Sequence, residues 1–153
     1  MIDKKNILAV ILARGGSKGI PKKNIVKINH HPLISYSIAA AKNSKYIDKI
    51  VVSSDSKEII KKSLEYGIDD FIIRPKFLSS DKATSVDALN HAVIRSEKIF
   101  AKKFDYIIEL PCVSPLRDHH DVNTVIKKLH KSKLDSVVSY VDTGEKHPSP
   151  VST

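Results

Sequence analysis

The apolar run Ile7-Leu-Ala-Val-Ile-Leu-Ala13 constrains this chain more than any other stretch. A half-exposed strand would alternate apolar and polar residues, so an unbroken run reads as a strand buried on both faces. The run then breaks into Arg14-Gly-Gly-Ser-Lys-Gly-Ile-Pro-Lys-Lys-Asn24. Glycines let the backbone bend tightly and bring N–H groups close to an anion, and arginine and lysine supply the opposite charge. A buried strand feeding such a loop is how a parallel α/β sheet presents a phosphate site. The opening therefore points to a grip on a nucleotide triphosphate.

The rest of the chain alternates strand and helix. Pro32 to Ala41 carries Leu33, Ile34, Ile38 and Ala41 at helical spacing, and Lys49–Ser53 reads as a second strand. Asp55 or Ser56 can cap a helix running through Tyr66, with Ile59, Ile60 and Leu64 on one face and Gly67 ending it. Phe71–Arg74 is a short third strand stopped by Pro75. Thr84 or Ser85 opens a longer helix with Leu89, Ala92, Val93 and Ile99 inward. Tyr106–Leu110 is a fourth strand stopped by Pro111. Asp118 can cap a helix that buries Val122, Val125, Ile126 and Leu129, and Ser136–Val141 is expected as a fifth strand. Such units build a parallel sheet covered on both sides, with ligands at the carboxyl ends of its strands. Arg14 to Asn24, Ser53 to Asp55, Arg74, and Pro111 to Arg117 all fall at such ends.

The 153 residues suffice for one domain with a core. No apolar run is long enough to span a membrane, and the opening residues do not read as a secretory signal. The single cysteine, Cys112, excludes an internal disulfide framework and reads as a small packed residue; a cytoplasmic protein is the plain expectation. The formal net charge is +9, but the lysines are scattered and the few aromatic residues are not interleaved with them. That speaks against nucleic acid and for a positive field that draws in small anions. Metal binding by His30-His31 or His119-His120 is not expected, because adjacent side chains diverge.

The opening loop fails two familiar phosphate patterns. Lys18 precedes Gly19 and Lys22-Lys23 lead into Asn24, so no Gly-Lys-Ser/Thr sequence opens a helix. Gly15 and Gly16 are adjacent and Pro21 interrupts the loop, so it is not the dinucleotide pattern G-x-G-x-x-G either. Ala13-Arg-Gly-Gly-Ser-Lys-Gly-Ile-Pro-Lys-Lys-Asn24 does resemble, throughout its length, the signature loop of the acylneuraminate cytidylyltransferases (CMP-sialic acid synthetases). Two further landmarks follow in order. Arg74-Pro75 with Leu78-Ser-Ser-Asp-Lys-Ala-Thr-Ser85 is similar to the family's Arg-Pro and Leu-x-x-Asp-x-Ala-x-Ser, and Ser114-Pro-Leu-Arg117 is similar to the segment after its fourth strand. His147-Pro148 matches a late position.

The resemblance implies a Rossmann-like, mostly parallel sheet with helices on both faces, of the nucleotide-diphospho-sugar transferase type. It implies cytidylyl transfer: a sialic-acid-like (nonulosonic) sugar attacks the α-phosphate of CTP, giving CMP-sugar and pyrophosphate. Arg14, Gly16, Ser17, Lys23 and Asn24 would contact the nucleotide, Arg14 and Lys23 serving catalysis by neutralising the triphosphate. Arg74, Ala83 and Ser85 would form the cytidine pocket. The plainer alternatives are a surface ion pair for Arg74, a helix N-cap for Ser85, solvated lysines for Lys18 and Lys22, and a helix cap for Asp55. Pro111 stands where the family usually has a sugar-contacting glutamine, which favours a related sugar such as legionaminic or pseudaminic acid and leaves no residue assigned to the sugar.

The family implies Mg²⁺ as cofactor, yet its late Asp-x-Asp pair has no counterpart here. Residues 1–153 thus read as one nucleotidyltransferase catalytic domain lacking its C-terminal part. Weak nucleotide binding and poor turnover are expected of this chain alone, and a homodimer of a full-length form. A nucleotide-binding module without turnover and a 3-deoxy-manno-octulosonate cytidylyltransferase are the rival readings, the latter disfavoured by Lys23-Asn24.

Overall fold

The computed structural model describes residues 2–17, 19–132 and 134–140. The apolar run becomes β1 (Ile7–Leu12), fully buried at Ile7 through Ile11. Two-residue strands β2 (Lys27–Ile28) and β3 (His31–Pro32) follow, then α1 (Leu33–Lys42) and β4 (Lys49–Ser54). Next come α2 (Lys57–Glu65), β5 (Phe71–Ile73), α3 (Ser85–Phe100), β6 (Tyr106–Glu109) and α4 (His119–Ser132).

The main sheet is parallel, in the order β5-β4-β1-β6. Alternation along β1 divides the core. Ile7, Ala9, Ile11 and Ala13 pack with residues of α1, α2 and α4, whereas Leu8 and Val10 pack with Ala92 of α3. Three helices thus cover one face and one covers the other. Both faces of β1 are closed, which is why its sequence never alternates.

Local signals place most element ends. Ser56 Oγ accepts from the Ile59 N–H (3.4 Å) to cap α2, so Asp55 is not its cap. Gly67, in the left-handed region at φ 76°, follows the last turn of that helix. Asp118 Oδ1 accepts from the N–H groups of His120 (2.8 Å) and Asp121 (3.0 Å), the capping expected for α4.

The structure corrects other expectations. Leu64 and Ile99 are about half exposed. The buried face of α2 centres on Ile59, Ile60 and Ser63, leaving Leu64 at its rim, and in α3 Phe100 takes the inward place near which Ile99 lies. Residues 136–140 form no strand. Residues 136–139 line a cleft together with Tyr106–Leu110 but form no backbone ladder with β6, and Val138 and Tyr140 stay exposed. Val141 and His147-Pro148 lie outside the described residues. The His119 and His120 rings do not diverge; their centroids are 4.0 Å apart.

Candidate active site

β4 and β5 lie on one side of β1 and β6 on the other. The succession of strands therefore reverses beside β1, and the loops leaving β1 and β6 part there to open a crevice. A cleft of about 530 Å³ occupies this position. Arg14, Gly16, Ser17, Lys23 and Asn24 line it from the loop after β1. Arg74, Ala83 and Ser85 line it from the segment between β5 and α3. All eight residues singled out from the sequence share one wall-to-wall site. Lys22 is exposed and pairs with Glu58 at 2.8 Å outside it. Lys18 lies outside the described residues.

The opening loop is held at both ends. Asp55 Oδ1 accepts from the Gly15 N–H at 2.8 Å, so this acid braces the loop. A Cβ on Gly15 would stand 3.0 Å from Ser56 Cβ, a close approach that favours glycine. The buried Asn24 donates from Nδ2 to the Arg14 carbonyl at 2.9 Å and draws the far end back onto β1. Above Gly16 the space is open. Lys23 opens a short 3-10 turn that follows Lys22, which sits in the left-handed region at φ 52°.

Arg14 reaches across the cleft, its Nη1 donating to Asp81 Oδ1 at 3.1 Å. Arg74 is no surface ion pair. It is buried, and it donates from Nη2 to the Ser53 carbonyl at 2.7 Å and from Nε to Ser53 Oγ at 3.2 Å. Burial lowers its pKa, countered by Asp55. Ser85 is not the cap of α3. Thr84 is, its Oγ1 accepting from the Asp87 N–H at 3.1 Å, which leaves the Ser85 side chain at the cleft.

The far wall follows β6. Arg117 donates from Nη2 to the Pro111 carbonyl (3.0 Å) and to Ser37 Oγ (3.1 Å), pinning the Pro111–Arg117 loop against α1. Cys112 is buried beneath the cleft, and burial pushes its thiol up to about 12, which removes it as a nucleophile. Asp81 and Glu109 also line the cleft, although the sequence alone gave neither a role. The available signal for Glu109 was an acid ending an otherwise apolar strand.

A family model described as cytidylyltransferase matches residues 8–151. The chain belongs to the cytidylyltransferase family. It is 42% identical over 135 residues to the post-translational flagellin modification protein B of Campylobacter coli, covering 88% of this chain and 57% of that protein. It is 42% identical over 109 residues to the CMP-N,N'-diacetyllegionaminic acid synthase of Campylobacter jejuni, covering 71% of this chain and 46% of the relative. The chain spans about half the length of these curated relatives. Among solved structures it is similar to a CMP:2-keto-3-deoxy-manno-octonic acid synthetase, with a TM-score of 0.68 at 21% identity over 84% of this chain and 48% of that one. That likeness shows a shared fold. No helix among the described residues is long and apolar enough to cross a membrane.

Proposed function

We propose that this cytidylyltransferase-family chain supplies the CTP-gripping part of an enzyme that transfers CMP to a nonulosonic acid. The observation that carries the reading is the convergence of Arg14, Ser17, Lys23, Arg74, Ala83 and Ser85 on one cleft at the switch point of a parallel sheet. The C. jejuni relative is named for CMP attached to a legionaminic acid, and Pro111 at the expected sugar-contacting position favours that class over sialic acid itself.

In the proposed reaction the anomeric hydroxyl oxygen of the sugar forms a bond to the α-phosphorus, the hydroxyl proton departs, and the bridge to the β-phosphate breaks to release pyrophosphate. Positioning and charge neutralisation supply most of the catalysis. Arg14 and Lys23 face the triphosphate. Charged hydrogen bonds contribute about 1.5–3 kcal/mol each. The partly exposed Arg14–Asp81 pair is worth only about 0–1 kcal/mol, so a phosphate oxygen displaces Asp81 readily. Ser17 and the open backbone at Gly16 add donors. Among the described residues no group of three His, Cys, Asp or Glu side chains gathers to hold a metal ion, and no step is routed through magnesium.

Calorimetric titration with CTP, followed by pyrophosphate release with legionaminic, pseudaminic and N-acetylneuraminic acids, tests the reading. Saturable CTP binding and sugar-dependent release are expected, with weak affinity and slow turnover for this half-length chain. Absence of CTP binding would overturn the nucleotide site. Binding without release on any sugar acid would overturn transfer by this chain.

A further inference from the structure

We propose that Glu109 reads the base, accepting a hydrogen bond from the exocyclic amino group of cytosine and so selecting CTP over UTP. The inference rests on the nucleotide reading above and adds a specificity residue that the sequence motifs do not contain.

The sheet register carries it. Along β6, Ile108 packs toward α1 and α4 while Ile107 packs on the α3 side, so alternation sends Glu109 to the α3 side as well. Leu12 lies on that same side of β1. So does Ser53, two residues beyond Val51, and there the Arg74 guanidinium is fastened. Leu12 pairs with Ser53 on one flank of β1, and Val10 with Glu109 on the other. A fixed cation and a carboxyl thus stand on opposite flanks of β1 on one side of the sheet, two strand spacings (~9.6 Å) apart across it and two residues (~6.6 Å) apart along it. A pyrimidine bridged at both ends by hydrogen bonds of ~2.9 Å reaches across a gap of that order when the two long side chains lean toward it. Leu12, Leu78 and Ala88 give its ring an apolar seat in the same cleft.

Arg74 retains N–H groups beyond the two engaged by Ser53, and these suit the O2 acceptor of a pyrimidine. Opposite them cytosine presents an amino donor and uracil a carbonyl acceptor. A carboxylate accepts the first and repels the second. Asp81, the cleft's other acid, reaches Arg14, the residue assigned to the triphosphate, and so stands at the phosphate end of the cleft rather than the base end. The protein around Glu109 pushes its carboxyl above the usual range, and the Arg74 charge opposes that shift, as expected of two groups that sense each other across one cleft.

The test is titration of the 153-residue chain and its Glu109→Gln and Glu109→Asp variants with CTP and UTP, alongside thermal melts. The unmodified chain is expected to prefer CTP by at least about tenfold. Glu109→Gln, which can donate to uracil O4, should collapse that ratio to within about threefold. Glu109→Asp should lose affinity for CTP and keep the direction of preference. Because the readout is a ratio within one protein, a modest stability loss does not mimic it. A CTP preference unchanged in Glu109→Gln overturns the inference and leaves the nucleotide site standing. Failure of the unmodified chain to bind either nucleotide overturns both.

Discussion

Asn24 does two jobs with one side chain. It lines the cleft, and its amide holds the Arg14 carbonyl, so the loop after β1 returns to the strand it left. Asn24→Ala removes that bond and strands the carbonyl, a loss of about 1–2 kcal/mol. The melting temperature should fall by about 3–6 °C, and CTP affinity should fall with it because Arg14 is no longer anchored. An unchanged melt together with unchanged CTP binding would show that the clasp holds nothing. Cys112 gives a second residue-scale prediction. A thiol titrating at about 12 presents a thiolate fraction on the order of 10⁻⁴ at pH 8. Iodoacetamide should leave native protein unmodified over an hour and alkylate it fully in guanidinium. The linkage sign follows: the folded-state pKa is raised, so the unfolded chain ionises first. Stability associated with the thiol is complete below about pH 9 and is lost as pH rises toward 12. Rapid native alkylation at pH 8 would contradict that burial.

The segment between β5 and α3 separates capping from binding within two adjacent residues. Thr84 caps α3 by accepting from the Asp87 N–H and also donates to Asp87 Oδ2 at 2.7 Å, whereas Ser85 is the first helical residue and faces the cleft. Thr84→Ala should therefore cost about 1 kcal/mol of stability. Ser85→Ala should leave the melt unchanged within error and weaken CTP binding several-fold. The reverse pattern, read by thermal melt and titration, would make Ser85 the cap. Sequence admitted either residue, because hydroxyls at 84 and 85 are chemically equivalent and only backbone geometry distinguishes them. The long elements were legible because burial on one or both faces leaves an apolar period, as in β1, α1 and β4. The β2–β3 hairpin was not. Its strands are two residues each and largely exposed, and its turn is made by Asn29 and His30 at φ 47° and 69° without a glycine to announce it. The strand expected at 136–141 is absent over its described residues for the converse reason: Val137-Val138 and Tyr140 have strand-like composition, but among residues 136–140 no ladder forms on β6.

Motifs scattered from Arg14 to Ser85 became one site only because the sheet reverses its winding beside β1. The sequence could place each motif at a strand end, but strand order is a property of long-range pairing, and the roles of Asp81 and Glu109 emerge only once β1 stands between β4 and β6. This makes the site a joint property of loops far apart in the chain, and hydrogen exchange can test that. The loop from Ala13 to Asn24 and the segment from Arg74 to Ser85 are bridged across the cleft by Arg14 and Asp81, and Glu109 to Val113 forms the facing wall. CTP at saturating concentration should slow amide exchange in all three stretches together, and a ligand at 100 times its Kd should add about 2.7 kcal/mol to global stability. The β2–β3 hairpin and the exposed face of α4 line none of this cleft, so their exchange should change only through global opening. Protection confined to the first loop would mean that phosphates alone are held and that the two walls carrying Arg74 with Ser85 and Glu109 take no part in recognition. Protection centred on α4 would move the ligand to the other side of β6, where the fold offers none of the loop cations from which the nucleotide reading began.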